Sequence, residues 1–292
     1  MASFQDIIND IKALRVQGAE NVAKASAKAM LLVSKRNSYA LLSKAEKILF
    51  SSRPTEPCMR NVLDYLMYGL DEKDDLSKVI TERYNEVLEH FSLANERISK
   101  YGAKKIFNGC IVFTHCHSSN VVNVLKQAKK EGKRFQVHNT ETRPLFQGRL
   151  TARELSREGI PVTHYIDSAA RVALKKSDLM MIGCDAISSE GKIINKIGSE
   201  MFAEMAEKQG ANIYVCTDSW KFDPKTIFGF EEVIELRAPK EIWPTAPSGV
   251  KVDNHAFEKI DPDLITGIIS EIGIYKPEVF VEEVKKVYSW MF

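Results

Sequence analysis

The residues best suited to chemistry stand just after short apolar runs. Thr114-His115-Cys116-His117-Ser118-Ser119-Asn120 follows one run, and a helical pattern begins at Ser118 or Ser119. A cysteine beside a helix N-terminus feels a partial positive charge that favours the thiolate, so Cys116 is expected to have a lowered pKa suited to proton transfer near neutrality. The alternative is a buried structural thiol, a common fate for free cysteine. Gly183-Cys184-Asp185-Ala186-Ile187 follows a second run, Leu179-Met180-Met181-Ile182. Burial there raises the pKa of Asp185 and fits it for acid or base work; a turn aspartate bonding its own backbone is the plainer reading. Asp167 follows a third run and reads first as a helix N-cap.

Around these two groups the sequence distributes anion-binding side chains. Arg143, in Glu141-Thr142-Arg143-Pro144, can bind phosphate or pair with Glu141. Asn195-Lys196 is a polar pair inside an apolar stretch that leads into a helix, and Lys221 follows the run Ile213–Cys216. Each alone reads as a solvated surface charge. Their convergence would make a rim able to hold a phosphate or a hydroxyl.

Two kinds of texture must position these residues. Residues 1–104 read as a helical domain: Ile7, Ile8, Ile11 and Leu14 recur at helical spacing, as do Val22, Ala25, Ala29, Leu32 and Val33, and later Val79, Ile80, Tyr84, Val87, Leu88 and Phe91. Asn61 to Leu70 is another helical run, and breaks fall at Gly18 and at 51–57. Residues 105–292 read as a Rossmann-like α/β domain. Strands are expected at 110–114, 135–138, 162–166, 179–182 and 213–216, with a weaker one at 232–236; helices are expected at 118–131, 149–158, 168–176 and 199–209. Alternation of this kind implies a parallel sheet covered by helices, with ligands outside the carboxyl ends of the strands. Phe257, Leu264, Ile265, Ile268, Ile269, Ile272 and Ile274 form an apolar segment that fits either core or an interface.

Composition narrows the functional classes. With 41 basic and 39 acidic residues the chain has a net charge of +2, which gives no sign of nucleic-acid or membrane binding. No apolar stretch is long enough for a membrane span, and the first residues lack a secretory pattern. The five cysteines are odd in number and scattered, which suits reduced thiols in a cytoplasmic protein. A zinc site is not expected: there is no Cys-x-x-Cys or His-x-x-x-His pair, and consecutive His115, Cys116 and His117 would point to opposite faces of a strand. The chemistry envisaged needs no metal or redox cofactor.

Taken together, Thr114-His115-Cys116-His117-Ser118, Glu141-Thr142-Arg143-Pro144, Gln147-Gly148-Arg149-Leu150-Thr151, Gly183-Cys184-Asp185-Ala186-Ile187 and Asn195-Lys196-Ile197-Gly198 resemble a known superfamily. It comprises ribose-1,5-bisphosphate isomerase, methylthioribose-1-phosphate isomerase and the regulatory subunits of initiation factor 2B. The resemblance reaches the helical half through Gly18-Ala19 and Arg53-Pro54-Thr55. In the isomerases of this superfamily the cysteine and the aspartate are both present, and the regulatory subunits generally lack the pair. The resemblance therefore implies a sugar-phosphate isomerase with Cys116 and Asp185 as acid and base, most similar to the archaeal ribose-1,5-bisphosphate type, acting in nucleoside monophosphate salvage. It also implies that Gly18, Ala19, Arg53, Asn195, Lys196 and Lys221 contact a phosphorylated pentose, and that the chain forms a dimer or a trimer of dimers. Methylthioribose 1-phosphate as substrate, or an initiation-factor-like regulator that senses nucleotide or sugar phosphate, are the alternatives. One departure stands out: where the family has Arg-Gly-Ala, this chain has Gln17-Gly18-Ala19, with Arg15 two residues earlier, so a bidentate guanidinium is missing there.

Overall fold

The structure, a computed structural model, describes residues 3–231, 234 and 236–292. Its first hundred residues are five helices. α1 (Phe4–Lys12) starts at a capping box in which Ser3 and Asp6 satisfy each other's backbone N–H groups. α2 (Ala19–Ser34), α3 (Tyr39–Ser52), α4 (Pro57–Met67) and α5 (Leu76–Ala103) follow. Ile8, Ile11, Val22, Met30, Leu42, Leu49, Leu63 and Val87 share one core, joined from the other half of the chain by Trp220. α5 is 28 residues long, and its second half, at Ala94, Ile98 and Ala103, packs into the core that lies on one face of the sheet. One helix thus serves both cores.

The remaining chain forms a seven-stranded sheet in the order β10-β9-β7-β4-β1-β2-β3. Its strands are β1 (Ile111–Thr114), β2 (Gln136–Thr140), β3 (Val162–Tyr165), β4 (Leu179–Ile182), β7 (Asn212–Cys216), β9 (Gly267–Ser270) and β10 (Gly273–Tyr275). All neighbours pair in parallel except β10, which runs antiparallel to β9. α6 (Ser119–Lys130), α7 (Gln147–Arg157), α8 (Ala170–Leu174), α9 (Ser199–Lys208) and α10 (Pro277–Val287) cover its two faces, with Phe113 and Ile182 packed on one side and Val112 and Met181 on the other. The fold is the Rossmann-like α/β class expected from the alternation of runs.

Two features depart from the expected elements, and a third settles a choice left open. The region 186–196 and 257–260 forms a second, antiparallel sheet of β5 (Ala186–Ile187), β6 (Ile193–Lys196) and β8 (Phe257–Ile260), where only a polar pair in an apolar stretch was anticipated. The helix expected at 168–176 is a 3-10 turn at Asp167–Ala169 followed by the short α8. The isoleucine-rich segment near the C-terminus serves the core, because Ile268 and Ile269 lie in β9 with neighbours on both sides. The weak strand expected at 232–236 falls largely on Glu232, Val233 and Glu235, outside the described residues; Leu236 makes a single antiparallel bridge to His255. Among the described residues no helix is long and apolar enough to cross a membrane.

Candidate active site

The chain leaves β1 towards β2 on one side and later returns to place β4 on the other, so β1 and β4 flank the point where strand order reverses. A parallel sheet opens a ligand crevice at such a point. Cys116 follows β1 and Asp185 follows β4, and the two strands pair directly through Val112 with Leu179 and Phe113 with Met180. Close approach is set by Gly183: a Cβ there would lie 2.6 Å from the Ser118 Cβ and 2.7 Å from its Oγ. Ser118 cannot retreat easily, because its side chain caps α6 by accepting from Val121 N–H.

Cys116 is held by its backbone. Its φ is 67°, in the left-handed region that L-residues seldom occupy. Its N–H donates to Thr142 Oγ1 at 3.0 Å, and its carbonyl accepts from the Thr151 hydroxyl at 2.9 Å. Thr142 is itself pinned: Thr142 N–H and Arg143 N–H donate to the two carboxylate oxygens of Asp167 at 2.8 and 2.7 Å. Asp167 therefore does not cap its own helix, as anticipated, but clamps the turn after β2 that supports Cys116. Beside it, His115 Nε2 must donate to the Ile197 carbonyl at 3.0 Å, which leaves Nδ1 to accept from Thr140 Oγ1 at 2.6 Å. Burial pushes His115 down to about 4, so it stays neutral and acts as a structural strut.

The thiol itself contradicts the lowered pKa expected from its position. Desolvation outweighs the helix terminus and the nearby His117 N–H, and it pushes Cys116 up to about 12. The charge of Asp185 adds to this, and Lys196 and Arg237 oppose it. At neutral pH Cys116 is a proton donor and not a thiolate. Asp185 is also raised, first by burial, against the pull of Lys221, Arg53, Lys196 and Arg237. Its N–H donates to the Ile194 carbonyl at 2.8 Å. Cys184 faces elsewhere, its Sγ 3.0 Å from the Ala186 carbonyl oxygen.

Four cations act on this pair. Lys221 Nζ donates to the Cys184 carbonyl at 2.6 Å, one residue from Asp185. Lys196, at the end of β6, is 3% exposed, has no ion-pair partner among the described residues, and burial lowers its pKa. Its neighbour Asn195 donates to Ser199 Oγ at 3.0 Å. Arg53, just past α3, pairs with Glu56 at 2.8 Å, and its Nη1 is buried without a hydrogen-bond partner among the described residues. Arg237 is the fourth and was not anticipated; it lies in an irregular stretch with no motif to mark it. Gln147 was part of a quoted motif without a role, yet its Oε1 is buried and unpartnered among the described residues.

Other expected site residues lie differently. Arg143 is exposed, with its guanidinium 5.0 Å from the Phe146 ring, and it lines a separate cavity of about 260 Å³ with Pro144, Ile197, Ile242, Asp253, Asn254 and His255. The partner of Glu141 is Arg149, at 2.9 Å, and not Arg143. Gly18, with φ 85°, and the buried Ala19 form the start of α2. Arg15 makes no substitute for the missing arginine, since it pairs with Asp10 at 2.6 Å on the surface.

A protonated thiol and a carboxyl group of raised pKa, both desolvated and ringed by cations, can exchange protons with an anionic substrate. Comparison with known proteins gives the family. Over 98% of its length the chain is 34% identical to ribose 1,5-bisphosphate isomerase of Pyrococcus furiosus, covering 94% of that protein. Against the ribose 1,5-bisphosphate isomerase of Methanocaldococcus jannaschii it is 36% identical, covering 99% of this chain and 98% of the relative. Its fold matches the crystal structure of translation initiation factor eIF-2B from Pyrococcus horikoshii OT3 with a TM-score of 0.84 at 24% identity, over 95% of this chain and 98% of the other. Residues 15–277 match the Initiation factor 2 subunit family, and the chain belongs to that family.

Proposed function

We propose that this protein is a sugar-phosphate isomerase that converts ribose 1,5-bisphosphate to ribulose 1,5-bisphosphate, in nucleoside monophosphate salvage. The observation that carries the reading is electrostatic and topological at once. Cys116 and Asp185 leave adjacent strands at the reversal point, the charge of Asp185 acts on the Cys116 thiol, and both feel Lys196 and Arg237. The near full-length similarity to two ribose 1,5-bisphosphate isomerases supports the same substrate class.

The chemistry follows from the substrate. Phosphate on the anomeric oxygen prevents simple ring opening, so an acid must protonate the ring oxygen as its bond to C1 breaks. A base must take the proton of the 2-hydroxyl while the hydrogen on C2 moves to C1. The result is a ketone at C2 and no change in overall composition. The raised Cys116 thiol supplies the acid. Asp185 supplies the base, and Lys221 beside it favours its anionic form. Lys196, Arg53 and Arg237 offer charge for the phosphates, with Asn195 and Lys221 near the sugar hydroxyls. Gly18 and Ala19 are left with backbone N–H groups at the start of α2 as their contribution, and Arg143 with an outer role on its exposed turn. Self-association as a dimer or a trimer of dimers belongs to the same reading. Exposed Phe228, Phe230 and Trp243 offer apolar surface for it.

The test is turnover of ribose 1,5-bisphosphate and methylthioribose 1-phosphate side by side, with a pull-down of initiation factor 2 α subunit in parallel. Ribulose 1,5-bisphosphate formation supports the proposal. Turnover of the methylthio sugar alone, or binding without turnover, overturns it.

A further inference from the structure

Lys221 reaches the crevice from a single 3-10 turn, Ser219–Lys221, so its position depends on what holds that turn. Its Nζ donates to the Cys184 carbonyl at 2.6 Å, one residue before Asp185. An ammonium carries three donors, so a substrate oxygen can share it. Ahead of the turn, a cluster of His90, Asp218 and Glu271 secures the chain. Asp218 Oδ2 meets His90 Nε2 at 2.9 Å, Asp218 Oδ1 accepts from Trp220 N–H at 2.8 Å, and Glu271 accepts from Ser219 N–H at 3.1 Å. Beyond the turn, Asp223 N–H donates to the Ile187 carbonyl at 2.8 Å.

The middle of the turn is held from α4, in the helical half of the chain. Asn61 Nδ2 donates to the Trp220 carbonyl and to the Phe222 carbonyl, each at 2.7 Å, so its two amide hydrogens bracket Lys221. Both partners can only accept, which fixes the nitrogen as the atom that faces them. Asn61 is 1% exposed, so little water can take its place. Asparagine is a poor residue for a helix interior, and a buried one needs partners such as these. Its neighbour Arg60 pairs with Asp223 at 2.8 Å and donates through Nη1 to the Pro54 carbonyl, next to Arg53. One turn of α4 thus ties the bend that carries Lys221 to the bend that carries Arg53.

We propose that Asn61 is a positioning residue for the candidate active site: by holding the Trp220 and Phe222 carbonyls it fixes the backbone from which the Lys221 ammonium reaches the Cys184 carbonyl. By this means the helical half of the chain, through α4, sets a cation in a crevice formed by the sheet. The proposal rests on reading that crevice as the sugar-phosphate site.

Crystal structures and kinetics of Asn61→Leu, Lys221→Met and the double variant test it. Leucine keeps the volume and loses both donors, so the turn should shift and Lys221 Nζ should leave hydrogen-bond distance of the Cys184 carbonyl. Misplacing a group by about 1 Å can cost roughly 100-fold, and kcat/KM should fall at least roughly 10-fold. In the Lys221→Met background the same change should cost less than about 3-fold, because its route to the site is gone. A residue that only supports the fold would cost as much in either background. Asn61→Ala, which suits a helix better, carries the same comparison if the leucine variant does not fold. Lys221 unmoved in the Asn61 variant, or losses that simply add, would overturn the proposal. A wild type without turnover sinks the functional reading alone, and the position of Lys221 in the variant structure then decides the inference.

Discussion

Gly183→Ala is a single-methyl test of how the crevice is built. The added Cβ would stand 2.6 Å from the Ser118 Cβ and 2.7 Å from Ser118 Oγ. Carbon atoms in contact rest at about 3.5–4.0 Å, so roughly 1 Å must be found between the end of β4 and the start of α6. Ser118 is the cap of α6 and lies two residues from Cys116; Gly183 lies two residues before Asp185. The strain therefore separates the two groups that must reach one sugar. Overpacking of this kind destabilises by about 1–3 kcal/mol, which for a chain this long lowers Tm by roughly 2–8 °C. A 1 Å misplacement of reacting groups can lower turnover about 100-fold. The assay is kcat/KM on ribose 1,5-bisphosphate alongside a thermal melt. Adding Ser118→Gly removes both clashing atoms and should restore part of the activity, at the expense of the cap. A folded Gly183→Ala protein with wild-type kcat/KM would refute the claim that this close approach sets the geometry of the pair.

Three further outcomes follow from the same contacts. His115 binds a proton near pH 6.5 when unfolded and near pH 4 when folded, so between these values the unfolded state holds more protons and stability falls as pH falls. The loss should reach roughly 3 kcal/mol by pH 4 in urea titrations, and His115→Gln should flatten it. Asp167→Ala removes the acceptor of two backbone N–H groups and loosens Thr142; it should destabilise by about 2–4 kcal/mol and lower kcat more than it raises KM, read from melts and steady-state kinetics. Lys196→Met should raise KM at least roughly 10-fold with a smaller change in kcat, because it removes one charge worth about 1.5–3 kcal/mol from phosphate binding. In the wild type, apparent affinity for the bisphosphate should weaken as pH rises through the lowered Lys196 pKa, since only the ammonium attracts phosphate.

Much of this site was legible in the sequence, and the reasons differ by residue. Continuous apolar runs such as Leu179–Ile182 announce parallel strands, and the rule that ligands gather at their carboxyl ends leads to Cys116 and Asp185 as candidates, which the family resemblance then singles out over a buried thiol and a turn aspartate. The short antiparallel sheet was illegible because its strands are two to four residues long and β6 ends in Asn195-Lys196, which breaks any simple pattern. The Cys116 ionisation was misjudged because a helix terminus is local in sequence, whereas the desolvation that governs it is a property of the folded crevice. Asp167 looked like a cap because caps are chain neighbours; its true partners, Thr142 and Arg143, lie on the preceding turn, 25 and 24 residues away. Arg237 and the His90 cluster depend wholly on long-range folding, since their partners come from segments with no shared motif.

Cys116 and Asp185 should work as one unit on one sugar. The most direct measurement is kcat on ribose 1,5-bisphosphate for Cys116→Ser, Asp185→Asn and the double variant. Each single change should lower kcat at least ~100-fold, and the double variant should be little worse than the weaker single, as for groups that act together. Near-normal turnover in either single variant would contradict it.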